Sequence, residues 1–245
     1  MSGSRARKER KDLKPSGRAR SLIVSAERVL AVDFSDVLSS RTRQVIVGWM
    51  RHAFEQSRVI AQLQVAGIEH AAAPNWRSCV ETAIRLQWLE SVDIEDRAGA
   101  VDAMIEYDKE RVVGEVKSLR VLGHESDAKL EEMDSLILGV TQNGDVKNEA
   151  RKLFPAIKAS RFPSAGLFKA WRQETQYSHA TAILGAAYAP SKDDRIGFGT
   201  PPLADPDLEL HEMLTLLVVM TTAALLKDEG VSRSKTIELF EAYSG

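Results

Sequence analysis

Apolar residues recur at helical intervals along almost the whole chain from residue 19 onward, and no stretch of strand length alternates between apolar and polar residues. This period predicts an all-α protein. No internal repeat is present, and most breaks between the apolar segments are short, which favours a single multi-helix bundle. The predicted helices span residues 19–33, 38–70, 72–91, 94–122, 126–140, 146–153, 164–188, 208–228 and 233–243.

A basic arm at residues 1–18 is predicted to be disordered and to precede the helical bundle domain at 19–245. The first twenty residues hold eight Lys or Arg and two Asp or Glu, so the rest of a chain with a total charge of −2 carries −8. The arm has too few apolar groups to offset the entropy of ordering. The acidic body argues against a broad surface for duplex nucleic acid, although the arm could contact phosphates or an acidic partner.

One cysteine, Cys79, excludes an intrachain disulfide and favours a reducing compartment, where it would be a small buried residue. The most apolar window, 213–226, has 14 residues and contains threonines. A membrane-spanning helix needs roughly 20 apolar residues, so we expect a core helix here. No export signal is visible. These features predict a cytoplasmic protein without a membrane span.

No ligand set for a metal, a haem or another cofactor is visible in the sequence. A di-iron bundle would need two Glu-x-x-His elements, and none occurs. The histidines outside residues 164–188 have no partner at ligand spacing, so each is predicted to be a surface or hydrogen-bonded residue. They are His52, His70, His124 and His211.

Two polar residues stand in the apolar face of the predicted helix 164–188. At about 100° per residue, Arg172 and His179 lie two turns apart at nearly the same azimuth. The other members of that arc are Phe168, Trp171, Thr175, Ala182, Ile183 and Ala186. An Arg side chain leaning along the helix would reach the imidazole.

The helix predicted at 72–91 repeats this pattern, because Arg77 and Glu81 stand among Val80, Ile84 and Trp88. Charges rarely lie in a core face unless they are paired, so the two helices are expected to meet around one polar cluster. The cluster is either a buried salt-bridge network that fixes the helices or a functional pocket that opens to solvent or to a partner subunit. Asp108, in the apolar arc of the helix at 94–122, is predicted to be a solvated or singly paired carboxylate.

The segment Arg172-Gln-Glu-Thr-Gln-Tyr-Ser-His179 resembles the Arg-x(4–6)-His motif of the HEPN superfamily of bacterial and archaeal helical bundles. Gln173 stands where the superfamily usually has Asn or Asp. Together with Arg77-x3-Glu81 on an earlier helix, the arrangement also resembles a bacterial family of unknown function with HEPN-like character. The resemblance covers about residues 40–228.

This resemblance implies a metal-independent endoribonuclease or RNA-binding protein of a bacterial toxin or phage-defence system, acting as a homodimer. Arg172 would steady the phosphate and His179 would transfer a proton, with Arg77 and Glu81 as auxiliary residues. Two other functions stay open. One is a non-catalytic helical interaction module with a structural charge cluster. The other is a DNA-binding regulator, since residues 20–31 resemble the first helix of TetR-like repressors, although a helix-turn-helix is not visible after them.

Overall fold

The computed structural model describes residues 3–161, 165–189, 205 and 208–245, with side chains from residue 17 onward. Over these residues the chain forms α-helices, one short 3₁₀ helix at Glu69–Ala72 and no strand, which confirms the all-α fold. The α-helices are α1 (Gly3–Ala31), α2 (Arg41–Val65), α3 (Ala73–Ser91), α4 (Ile94–Val121), α5 (Leu130–Leu136), α6 (Gly144–Arg151), α7 (Leu153–Ala159), α8 (Ala165–Ser178), α9 (Ala182–Tyr188), α10 (Glu209–Asp228) and α11 (Arg233–Ser244).

Three mutually contacting helices, α2, α3 and α10, form the centre of the bundle. Helix α1 lies along α2, and α11 packs against both α1 and α10. On the other side α4 packs on α2, α5 and α6 pack on α4, and α7 and α8 cover α3. The largest fully buried side chains include Phe34, Ile46, Met50, Phe54, Ile60, Ile84 and Trp88. One hydrophobic core therefore extends through the central helices.

Helix α1 begins at Gly3, which differs from the disordered arm predicted for residues 1–18. Arg and Lys make up seven of residues 1–18, and both have high helix propensity. A helix that is already formed extends more easily than a new one nucleates, so the packed part of α1 favours helix upstream of it. Among the described side chains, Ala19 is the first to enter the core.

Helix α2 is shorter than the predicted 38–70 because Gly67 ends it. This glycine has φ +71°, a left-handed conformation that favours glycine, and the amide of Ile68 donates to the carbonyl of Leu63 (3.0 Å). The chain then makes the short turn that leads into α3. Helix α2 is nevertheless uninterrupted over 25 residues, which confirms the prediction of one long helix after α1.

Helix α10 is long and apolar enough, by length and composition alone, to be a candidate membrane span. It packs against α2, α3 and α11, and 56% of its most apolar window is buried within the protein. At its first turn, Asp205 Oδ2 accepts a hydrogen bond from the amide of His211 (2.8 Å). The sequence also predicts that Ser164 caps the helix at 164–188 and that Gly197-Phe198-Gly199 forms a turn, and these positions lie outside the described residues.

Buried Arg97 joins the turn between α3 and α4 to the C-terminal end of α10. Its guanidinium donates to the carbonyl of Val92 (3.1 Å) and to Asp228 Oδ2 (3.1 Å), and it lies 3.5 Å from Glu229 Oε1. A buried cation at the negative end of a helix dipole is stabilised there. The buried charge of Arg97 therefore stabilises this turn, and the helical period of the sequence gave no indication of that role.

The predicted helix at 126–140 is reduced to α5, because the following loop is drawn onto α4. Asp102 Oδ2 accepts the amides of Leu138 (2.9 Å) and Gly139 (2.6 Å). The amide of Thr141 donates to the carbonyl of Gly99 (3.2 Å), and a Cβ at Gly99 would lie 2.7 Å from that amide nitrogen. Long-range contacts with α4 thus replace the last helical turns.

Candidate functional site

Helices α3 and α8 pack against each other, which confirms that the two predicted helices are in contact. Arg77 Nε donates to Thr175 Oγ1 (3.2 Å), and Trp171 Nε1 donates to Glu81 Oε2 (2.9 Å). The Arg77 guanidinium also lies 3.7 Å from Glu81 Oε2 and 5.4 Å from the centroid of the Trp171 ring. Arg77 and Glu81 therefore form a half-buried polar interface with α8.

Arg172 and His179 do not join this interface, and both side chains are exposed. The predicted continuous helix is broken, since α8 ends at Ser178 and α9 begins at Ala182. Thr181 causes the break: its Oγ1 donates to the carbonyl of Gln176 (2.7 Å) and accepts the amide of Leu184 (3.1 Å) as the cap of α9. Within the described part of the chain, neither the Arg172 nor the His179 side chain makes a hydrogen bond or ion pair. The four residues thus do not form one cluster.

The face of α8 turned inward carries Glu174 instead, which is 4% exposed. No ion pair reaches its carboxylate among the described residues, and burial raises its pKa to about 7. A second buried titratable group is the imidazole of His211, whose Nε2 lies 2.7 Å from Ser57 Oγ and whose pKa is lowered by burial to about 4. Both groups are deep within the fold and neither was singled out by the helical pattern.

We expect Glu174→Gln to stabilise the protein above pH 7 and to have little effect at pH 5. The folded state raises the carboxyl pKa from 4.5 to about 7, so the stability associated with its protonated form is lost as the pH rises through that range. At 1.36 kcal/mol per pKa unit the full rise corresponds to about 3–4 kcal/mol, and solvent screening of this carboxylate reduces the expected penalty above pH 7 to about 2–3 kcal/mol. Urea unfolding at pH 5 and pH 8 measures it, with exposed Glu115→Gln as the control. Equal changes in the free energy of unfolding at the two pH values would contradict the assignment.

A pocket of about 660 Å³ opens where α2, α3, α4 and α8 meet the junction of α6 and α7. We call it the basic pocket, because its lining holds four cationic and two acidic side chains. The cationic residues are Arg85, Arg111, Arg151 and Lys152, and the acidic ones are Glu81 and Asp108. Three aromatic rings, Trp49, Tyr107 and Trp171, also line it. Such a lining suits a ligand that carries both negative charge and flat rings.

Arg85 lies half-buried in the wall of the basic pocket. Its Nη1 donates to the carbonyl of Glu149 (2.9 Å), and its guanidinium lies 5.7 Å from the centroid of the Trp88 ring. Burial lowers the pKa of Arg85, while the charges of Glu81 and Asp108 oppose that shift. No carboxylate of the described residues forms an ion pair with it. Its charge is therefore available to a ligand.

Two further cations come from the junction between α6 and α7. Arg151 lies over the Tyr107 ring at 5.2 Å and forms ion pairs with Glu110 and, at 4.0 Å, with Glu106. Lys152 has extended backbone (φ −132°, ψ 131°) between the two helices, and its side chain is exposed. In the described structure Lys152 makes no ion pair. Of the two cations at this junction, Lys152 therefore has the fewer contacts within the described structure.

Asp108 and Arg111 stand at the exposed side of the basic pocket. Their side chains are 64% and 71% exposed and lie 3.9 Å apart. Partial burial raises the pKa of Asp108, and the charges of Arg111 and Arg85 oppose the shift. This confirms the prediction that Asp108 is a solvated or singly paired carboxylate.

The basic pocket also contains a hydrogen-bonded His–Ser pair, with His52 Nε2 2.7 Å from Ser78 Oγ. The two residues lie on α2 and α3, and the His52 side chain is exposed. Imidazole can accept and donate a proton near neutral pH, and a hydroxyl can orient the ring. His52 is thus hydrogen-bonded, as predicted, but nothing in the sequence connects it with Ser78. Their separation of 26 residues on different helices gives no local signal.

One sequence signal could have located the basic pocket. Between residues 146 and 173 the chain has seven Lys or Arg and a single acidic residue, Glu149, although its total charge is −2. This basic segment contains Arg151 and Lys152 of the pocket, as well as Trp171. Positive charge concentrated in one segment of an otherwise acidic protein would attract an anionic partner.

No group of three or more His, Cys, Asp or Glu side chains is arranged to hold a metal ion within the described ranges. Comparison of the chain with protein-family models, with curated proteins and with solved structures gave no match. The HEPN resemblance therefore stays a prediction.

Proposed function

We propose that the protein binds RNA in the basic pocket and cleaves its phosphodiester backbone without a metal ion. The observation that carries the proposal is the His52–Ser78 pair within a pocket that also presents Arg85 and Lys152 without carboxylate partners among the described residues. Guanidinium and ammonium groups attract phosphate, and aromatic rings stack on bases. An endoribonuclease of a bacterial toxin or phage-defence system, which the HEPN resemblance implies, has this chemistry.

The reaction needs only proton transfer and charge stabilisation. The ribose 2′-oxygen would attack the adjacent phosphorus, the bond to the 5′-oxygen would break, and a cyclic phosphate and a 5′-hydroxyl would form. His52 would take the proton from the 2′-hydroxyl while Ser78 orients the ring, and the leaving 5′-oxygen would receive a proton from water. Arg85 and Lys152 would stabilise the charge that develops on the phosphoryl oxygens. Proton transfer would thus be carried out by His52 and not by His179, the residue to which the resemblance assigns it.

RNA binding by the basic pocket is tested with Lys152→Glu. We expect this charge reversal to weaken RNA binding by about tenfold or more at low salt and to flatten its salt dependence, because phosphate contacts release counterions. Fluorescence anisotropy with labelled RNA in EDTA measures both quantities. The matched control is Lys227→Glu, which makes the same change at an exposed position of α10. Equal losses in the two variants would indicate a general charge effect and would refute the pocket as the binding site.

The homodimer implied by the resemblance remains part of the proposal. Helix α10 exposes Met213, Leu216 and Met220 at 68%, 41% and 53%, at intervals that place them along one side of the helix. Apolar residues exposed in a row favour contact with another protein surface. This row is also the observation that favours the alternative, a non-catalytic interaction module. Light scattering of the purified chain distinguishes a monomer from a dimer.

A further inference from the structure

We propose that nucleotides next to the basic pocket lie unpaired on an aromatic run, formed by Phe154, Phe168 and Trp171, and that the protein thereby selects single-stranded RNA. The inference rests on the proposed function, because it extends the same binding site. It adds a second contact surface outside the pocket and a criterion for the substrate. The rings belong to α7 and α8.

The three rings form a continuous series that leads from the pocket wall to the surface. Trp171 lines the pocket, and its ring stacks on Phe168 with centroids 5.8 Å apart and an interplanar angle of 18°. Phe168 is followed by Phe154 at 5.3 Å and 47°. Phe154 is 55% exposed, so its ring ends the series at solvent. A base leaving the pocket would meet this ring.

The inner end of the aromatic run is held rigidly. Trp171 Nε1 donates to Glu81 (2.9 Å), and the Arg77 guanidinium lies 5.4 Å from the centroid of the Trp171 ring. Phe168 is half-buried between its two neighbours. A surface that is ordered before binding loses little entropy when a ligand settles on it. The run is therefore a prepared stacking surface rather than a set of independent side chains.

The charges around the aromatic run complement a phosphate backbone. Lys152, Lys158 and Lys169 are exposed on the segment that carries the rings, and within the described part of the chain none of them forms an ion pair. The basic segment 146–173 has one acidic residue against seven cations. Proteins that hold single strands combine cationic grooves with aromatic rings in this way, and each stacked base contributes to affinity independently of its identity.

Single strands are favoured because stacking on Phe154 requires a base whose face is free. In a duplex the faces are covered by neighbouring bases, and only an end or a flipped base would be accessible. The basic pocket is concave and admits individual nucleotides, whereas a duplex presents its backbone on a broad convex surface. The occupant expected for the pocket and the aromatic run together is therefore an unpaired strand.

The test measures binding of 2′-O-methylated RNA, which lacks the attacking hydroxyl and so cannot be cleaved by the proposed reaction. Three probes are compared by fluorescence anisotropy: a dinucleotide, a single strand of about eight nucleotides, within the range of site sizes for such surfaces, and the same strand in a duplex. For the wild type we expect the single strand to bind about tenfold or more tightly than the duplex.

Phe154→Ala should weaken binding of the single strand by about tenfold, in line with the loss of one stacked base, and leave dinucleotide binding within about twofold. Phe154→Trp should restore affinity. Leu138→Ala, which removes an 81% exposed apolar side chain that does not line the basic pocket, is the control. Because Phe154 is exposed, its substitution should not threaten the fold, and a circular dichroism melt verifies this.

Equal affinity for single strand and duplex, or no effect of Phe154→Ala on the single strand, would overturn the inference. The outcomes separate it from the proposed function. Single-strand binding that depends on Phe154, with unmodified RNA left intact, would support the aromatic run and refute cleavage. Cleavage of unmodified RNA with no effect of Phe154→Ala would support the proposed function and refute the aromatic run.

Discussion

His52→Ala is expected to lower the rate of RNA cleavage by about 10²-fold or more, the usual contribution of a general acid or base. The fold should persist, because the His52 side chain is exposed and its ring has one described hydrogen bond, to Ser78 Oγ at 2.7 Å. Loss of such a bond costs about 1 kcal/mol. Single-turnover cleavage of labelled RNA in EDTA gives the rate, and a thermal melt gives the stability.

His179→Ala is the matched control, since it removes another exposed imidazole. If His52 transfers the proton, the His179 variant should cleave at nearly the wild-type rate. The opposite result, with cleavage abolished by His179→Ala and retained by His52→Ala, would return the chemistry to the originally predicted pair of Arg172 and His179. Absence of cleavage by the wild type in every condition would favour the interaction module.

Asp102→Ala should destabilise the protein by about 3–5 kcal/mol, because it leaves a charge without its buried partner. Asp102 is 2% exposed, and its Oδ1 accepts a hydrogen bond from Arg41 Nη1 at 2.5 Å. Its other oxygen accepts the amides of Leu138 and Gly139. The substitution therefore breaks contacts that join α2, α4 and the loop after α5. Urea unfolding monitored by circular dichroism measures the change.

Asp108→Ala provides the comparison on the same helix. Its carboxylate is 64% exposed and faces Arg111 at 3.9 Å, an arrangement whose contribution to stability is about 0–1 kcal/mol. We expect the Asp108 variant to unfold near the wild-type urea concentration. Similar losses of stability in the two variants would show that the Asp102 contacts do not hold the fold together.

Local sequence signals predicted the helices that begin and end through interactions within a few residues. The prediction for 72–91 agrees with α3 (Ala73–Ser91), and the prediction for 94–122 agrees with α4 (Ile94–Val121). The sequence also predicts Asp93 as the N-cap of this helix; Asp93 occupies that position and its carbonyl accepts the amide of Asp96 at 2.9 Å, but its side chain makes no capping hydrogen bond. Apolar period and capping are properties of neighbouring residues, so they can be read without knowledge of the fold.

Two segments were predicted as continuous helices from their helical period, and the structure shows that both helices are interrupted. The segment 164–188 has helical period throughout, yet the Thr181 side chain stabilises a break that removes His179 from α8. The segment 126–140 loses its last turns to hydrogen bonds with Asp102, which is remote in sequence. In both cases a side chain supplies the backbone with hydrogen bonds other than those of the helix.

An all-helical bundle, the approximate positions of most helices and the contact between α3 and α8 could be predicted, because they follow from helical period and from the need to bury apolar faces. The basic pocket, in contrast, could not be predicted without the folded structure. Its His–Ser pair comes from α2 and α3, and its cations come from α3, α4 and the junction of α6 and α7. Which side chains converge there depends on how the helices cross and rotate in packing, and that arrangement is set by the whole core rather than by any local spacing.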